Sequence, residues 1–148
     1  MIRVHESAVI PHPVSRVWAL VGDFNSMPDW QPDIVASELQ NGLPGTAVGC
    51  VRLTTQKDGS QILGIQVDRS EEEHRYTYAI IRSPVPLRDY VGWLELRPVT
   101  ADDTTLIEWS CRFGAAEDAP AGFEPDGAAF LADVFWRSFA NIARCLVA

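Results

Sequence analysis

The chain has 148 residues, 47% hydrophobic and 22% charged, a balance that excludes a disordered chain and suits one soluble globular domain over residues 1–148. Its formal charge of -8 argues against nucleic acid or an anionic membrane surface as a partner, because Arg and Lys are scattered singly and form no basic patch. Three cysteines, Cys50, Cys111 and Cys145, show no CxxC or His spacing, which fits reduced thiols in a cytoplasmic protein and argues against a disulfide framework or a metal site.

Residues 1–10 lack a basic stretch followed by an apolar run, so no signal peptide is expected, and no apolar run in the chain is long enough to insert in a membrane. Ile2, Val4, Ala8 and Ile10 instead alternate with Arg3, His5 and Ser7, the period of a strand, with Glu6 on the apolar side in need of a partner or a wet cavity. After Pro11 and Pro13, Ser15 caps a short helix whose stripe is Val17, Trp18, Leu20 and Val21, and Gly22 ends it. A second helical turn is expected near Ser26 to Trp30, then a strand from Ile34 to Leu39. The next strand is read over Ala47 to Thr55, turned at Asp58-Gly59 into Gln61 to Asp68, where Leu63, Ile65 and Val67 share one face. The run Glu71 to Glu73 reads as a solvated turn. Arg75 to Arg82 carries Tyr76, Tyr78 and Ile80 on one face, Tyr90 to Leu96 carries Tyr90, Gly92, Leu94 and Leu96, and Leu106 to Phe113 carries Ile107, Trp109, Cys111 and Phe113.

From Gly127 to Leu146 the period changes to three and four residues, through Ala128, Leu131, Val134, Phe135, Ile142 and Leu146. Asp126 stands at the N-cap position, and Arg137 and Arg144 fall in the later half, where cations suit the helix dipole. The pattern is therefore α+β: seven antiparallel strands with two short helices between the first and second, and one long C-terminal helix that must cover the sheet's apolar face. Phe130, Phe135, Trp136 and Phe139 on that helix serve either as core or as the wall of a ligand site.

At Ile10 to Val14 leading to Val17-Trp18, Asp23-Phe24, Trp30 to Pro32, Val48 to Arg52, Tyr76 to Tyr78, Tyr90 to Gly92 and Glu108-Trp109, the chain resembles the START-like, or SRPBCC, superfamily. Within it, the chain looks most like the bacterial polyketide cyclase/dehydrase and lipid-transport-like group. The resemblance spans essentially the whole length and implies the helix-grip fold, a curved seven-stranded sheet around the C-terminal helix, with an apolar pocket for a hydrophobic small molecule between them. An empty cavity of ~300 Å³ would forfeit roughly 7 kcal/mol, comparable to a domain's whole stability, so such a space should be wet, ligand-filled or closed by large side chains. Val48 to Arg52 also resembles the matching strand of plant abscisic-acid receptors, but their gate is replaced by Lys57 to Gln61 and their latch by Val85-Pro86-Leu87, so hormone sensing is not supported.

Strand parity places Arg52, Thr54, Leu63, Ile65, Tyr76, Tyr78, Tyr90, Gly92, Ile107 and Trp109 on the pocket side, with Leu131, Phe135 and Phe139 facing them from the helix. Arg52 either clamps a ligand carboxylate or enol oxygen or makes a structural ion pair, with Glu6 as the candidate partner; the tyrosines either orient a ligand or pack the sheet. No nucleophile with a base, carboxylate pair or metal cluster is visible, His5, His12 and His74 fall near strand ends or in turns, and no cofactor is expected. The expected function is a carrier or sensor of a hydrophobic lipid, polyketide or aromatic, as monomer or homodimer. The alternative is a polyketide cyclase or dehydratase that uses Arg52 to polarise a carbonyl and a tyrosine as proton donor. A partner module that dimerises through a strand edge or Trp93 is a third reading.

Overall fold

The computed structural model describes residues 1–147. Strand β1 (Ile2–Ile10) leads into helix α1 (Val14–Val21) and a 3-10 turn (Met27–Asp29). Strands β2 (Ile34–Leu39), β3 (Val51–Gln56), β4 (Gln61–Ser70), β5 (Arg75–Arg82), β6 (Leu87–Val99) and β7 (Thr104–Ala115) follow, and helix α2 (Phe123–Cys145) ends the chain. All strand pairs are antiparallel, in the order β1-β7-β6-β5-β4-β3-β2. Hairpins explain every neighbour except β1 on β7: the segment holding α1 and the 3-10 turn carries the chain from one edge of the sheet to the other.

The α+β arrangement is the expected one, with three local differences. Helix α1 starts at Val14 with Pro13 as its cap, and no side chain caps it, so Ser15 does not have that role. Strand β3 starts at Val51 rather than Ala47, because Gly49 (φ 93) bends the chain. Buried Gln66 holds that bend by donating from Nε2 to the carbonyls of Gly45 (3.1 Å) and Ala47 (2.9 Å). Helix α2 begins at Phe123, four residues before Gly127, with Gly122 (φ 81) at its cap. Pro125 is its third residue, where a missing N–H costs nothing, so proline marks the first turn rather than a stop.

Helix α2 packs against β1 and β7. Ile107, Phe139 and Ile142 are buried on that side, and Trp109 stacks on Phe135 with ring centroids 4.1 Å apart. Toward β3, β4 and β5 the helix does not close on the sheet, and this is where the interior opens. On the convex face, Trp93 lies beside the guanidiniums of Arg3 (5.9 Å) and Arg112 (5.8 Å).

Candidate functional site

Between the N-terminal half of α2 and strands β3 to β5 lies a cavity of about 560 Å³. Its walls are apolar: Ile62, Ile80, Trp109 and Phe113 from the sheet, Leu131, Val134 and Phe135 from α2, and Met27 and Ile34 from the segment that crosses the sheet. It opens between Asp58 and Ser60 of the β3-β4 hairpin, Pro84 and Val85 of the β5-β6 loop, and Asp126 and Phe130 of α2. Phe130 is 61% exposed and Val85 49%, so two apolar side chains stand at the mouth.

The polar groups gather at the inner end. Burial alternates along β3, which turns Arg52 and Thr54 inward, and Gly64 is the residue opposite Arg52 on β4. The Arg52 guanidinium stacks 3.7 Å above the Phe24 ring centroid, and its Nη1 donates to the Phe24 carbonyl at 2.6 Å. Among the described residues it joins no ion pair and makes no second hydrogen bond to protein. Every completely enclosed side-chain N or O atom among those residues has a partner, so Arg52 Nε and Nη2 are not fully enclosed, and the space beside Arg52 is the cavity that it lines. Burial lowers the Arg52 pKa, but guanidinium remains a cation at any physiological pH.

Beside it, Trp109 Nε1 donates to the Tyr78 hydroxyl at 3.0 Å, and the hydroxyls of Tyr78 and Tyr90 share a hydrogen bond of 3.1 Å. Burial pushes the Tyr78 pKa up to about 12 and that of Tyr90 well above its ordinary value, so both phenols keep their protons at neutral pH. The Thr54 hydroxyl donates to the Ile62 carbonyl at 3.3 Å.

Of the residues singled out by parity, the structure brings Arg52, Thr54, Tyr78, Tyr90, Trp109, Leu131 and Phe135 to the cavity. Six others do not line it. Leu63 and Ile65 face the convex side, because the register Arg52↔Gly64 and Thr54↔Ile62 turns Ile62, Gly64 and Gln66 inward. Three apolar residues on the outer face of β4 reversed the reading there, and Val67 is 44% exposed. Gly92 lies behind Tyr78: a Cβ at 92 would stand 2.4 Å from the ring, so the glycine seats the tyrosine rather than touching a ligand. Tyr76 packs edge-on against Phe24 (5.9 Å) and tilted on Trp18 (6.2 Å), under α1. Ile107 beneath α2 and Phe139 on its buried face belong to the core.

The suggested Arg52–Glu6 pair does not form. Glu6 sits on β1 opposite Trp109, and the strand order puts β1 and β3 five ladder steps apart, about 24 Å at the usual strand spacing. Parity places Ile80 and Phe113 inward, but the loop residues Pro84 and Val85, Leu87 at the start of β6 and the first turns of α2 carry no periodic signal. None of the three histidines lines the cavity. Among the described residues no three His, Cys, Asp or Glu side chains come together as a metal would require.

A family model described as polyketide cyclase / dehydrase and lipid transport matches residues 1–146. The chain belongs to this family. Among solved structures, the chain is similar to the protein XoxI from Bacillus cereus, at 28% identity and a TM-score of 0.85 over 97% of this chain and 94% of that one. It is likewise similar to a protein of Nitrosospira multiformis, at 30% identity and TM-score 0.83 over 99% and 97% of the two chains. A protein from Bacillus thuringiensis shares 26% identity with a TM-score of 0.85, over 99% of this chain and all, 100%, of the other. No curated protein matches the sequence. The START-like relationship and the helix-grip fold expected for a member of the polyketide cyclase/dehydrase and lipid transport family therefore hold. No helix among the described residues is long and apolar enough to cross a membrane.

Proposed function

We propose that this protein binds a hydrophobic small molecule in the cavity between β3–β5 and α2, as a carrier or sensor. The observation that carries this reading is the pairing of apolar walls with one unneutralised guanidinium at the inner end. Apolar walls supply affinity, and a few convergent polar groups fix orientation. The three cysteines are free thiols, two of them buried, which suits a reducing compartment such as the cytoplasm.

A cyclase or dehydratase in the same cavity is the second reading, favoured by the proximity of Arg52 and Tyr78, whose ring centroid lies 5.6 Å from the guanidinium carbon. Both groups could polarise a carbonyl. A base is harder to find, because the carboxylates that line the cavity, Asp58 and Asp126, stand exposed at its mouth. Arg52→Ala separates the readings: an enzyme loses turnover of a polyketone analogue while the protein stays folded, whereas a carrier loses only affinity.

Native mass spectrometry of freshly purified protein, followed by thermal shift against fatty acids, flavonoids and polycyclic aromatics, tests the binding function. A ligand at about 100 times its Kd adds about 2.7 kcal/mol, raising the midpoint by roughly 5 to 11 °C in a domain of this size. A co-purified mass or such a shift is expected. A bare mass with a flat panel would rule the reading out.

A further inference from the structure

Resting on the reading of the cavity as a ligand site, we infer that its ligand is a monoanion bound head first: an apolar molecule whose single carboxylate, enolate or phenolate reaches Arg52 and Tyr78, and whose outer end bears no negative charge.

The sign follows from a count of protons at the inner end. Arg52 is only a donor and lines the cavity, with one bond spent on the Phe24 carbonyl and two nitrogens without a partner among the described residues. The aromatic relay holds three protons, the Trp109 N–H and two phenol hydrogens, and its two internal hydrogen bonds consume two of them. One phenol hydrogen is left over: it is that of Tyr78 when Tyr90 donates to it, whereas in the reverse order the Tyr90 hydrogen has the Cys111 sulfur as an acceptor. Thr54 has already donated its hydrogen to Ile62. A ligand group entering this end meets spare donors, so it must be rich in acceptors. It also meets a cation with no protein counter-charge, and an unpaired buried charge is costly. An anionic ligand supplies what the protein omits, whereas a neutral ester or amide would accept hydrogen bonds and leave the charge uncompensated.

The number of charges follows from the mouth. Asp58 and Asp126 line it, and Asp58 is held ionised by the hydrogen bonds from Ser60. Lys57 lies near enough to Asp33 to stabilise its carboxylate. Arg82 lines an adjoining polar notch on the β5-β6 side, which shares Ser83, Val85 and Leu87 with the cavity and sets Asp89 beside the arginine. A second anionic group, left at the mouth by the apolar walls, would therefore face carboxylates in a protein of formal charge -8.

The test is a matched series on one skeleton, measured by titration calorimetry: dodecanoic acid, methyl dodecanoate and dodecanedioic acid, repeated with 2-naphthoic acid, its methyl ester and 2,6-naphthalenedicarboxylic acid. In the skeleton that fits, the monoacid should bind about 10- to 100-fold tighter than its ester, the range for charge-assisted hydrogen bonds, and the diacid should bind more weakly than the monoacid. Arg52→Met, which keeps the length and apolar contacts, should erase the acid preference, and Arg52→Lys should retain part of it. Equal affinity for acid and ester, a diacid that binds as tightly as the monoacid, or an acid preference that survives Arg52→Met would overturn the inference while the cavity remains a ligand site. Should Arg52→Met fail to fold, the acid-to-ester ratio of the unaltered protein still decides the sign. Tight binding of the esters alone would contradict the charge assignment, whereas no binding by any member, with a flat thermal-shift panel, would overturn the ligand-site reading itself.

Discussion

Arg69 and Arg52 lie on neighbouring strands, the Arg69 side chain 5% exposed and Arg52 buried, yet their surroundings are opposite. Arg69 is saturated. It pairs with Glu71, donates from Nη1 to the Gly22 carbonyl and to Gln66 Oε1 (2.9 Å), and lies 5.0 Å from the Trp18 ring centroid. Trp18 Nε1 donates to Glu71 at 2.8 Å, so α1, β4 and the turn after it are tied into one network. The Arg69 guanidinium beside Glu71 holds that carboxyl below its ordinary value. Arg52 has one carbonyl, the rings of Phe24 and Tyr78, an open cavity and no carboxylate. The contrast separates a guanidinium used to hold the fold from one left available, and neither burial nor residue type alone makes that distinction.

Loss of the charge-paired arginine should cost the most. Arg69→Met removes the hub of its network and strands the acceptors on Gly22 and Gln66, so stability should drop by about 3 kcal/mol in urea denaturation, with ligand affinity unchanged. A loss under about 1 kcal/mol would show the network to be surface decoration.

Gly92→Ala tests how the available side is built. The new methyl would overlap the Tyr78 ring, and overpacking of this kind costs about 1 to 3 kcal/mol. Because Tyr78 links Trp109 to Tyr90, the same change should weaken ligand binding, which differential scanning fluorimetry with and without ligand will read. A variant with wild-type stability and ligand response would mean the ring has room to move.

A third arginine sharpens the comparison at the surface. Arg137 on α2 makes a bidentate pair with Asp33, at 3.0 and 2.6 Å, and its hydrogen bonds hold the Asp33 carboxyl below its ordinary value. A depressed carboxyl contributes stability above its unfolded pKa and loses it as pH falls through the folded one, so the window lies below about pH 4. Both side chains are about a third exposed, so solvent screening limits the pair to about 1 kcal/mol. Asp33→Asn should lower the melting temperature slightly at pH 7, and the difference should shrink at pH 3. A gap that widens on acidification would contradict the pairing.

The sequence made the strands legible wherever one face was polar. In β5, β6 and β7 strict alternation placed Tyr78, Tyr90 and Trp109 inward, as found. Parity failed in β4, where Leu63, Ile65 and Val67 put apolar groups on the outer face and a buried glutamine lies inside. The start of α2 was hidden by Pro125, which ends a helix in most positions and is harmless in its first turn. That Arg52 points inward could be read from one strand. That it lacks a carboxylate could not, because the distance to Glu6 depends on the order of seven strands in the sheet.

The urea midpoint of Arg52→Met, measured beside wild type and Arg69→Met, distinguishes a guanidinium held for a ligand from one that holds the fold. If Arg52 is held uncompensated for a ligand, exchanging it for a methionine of similar length removes a buried charge that nothing in the protein neutralises. The midpoint should then stay within error of wild type or rise. A fall as large as that of Arg69→Met would show that Arg52 holds the fold together, and the cavity would lose the group on which its proposed chemistry depends.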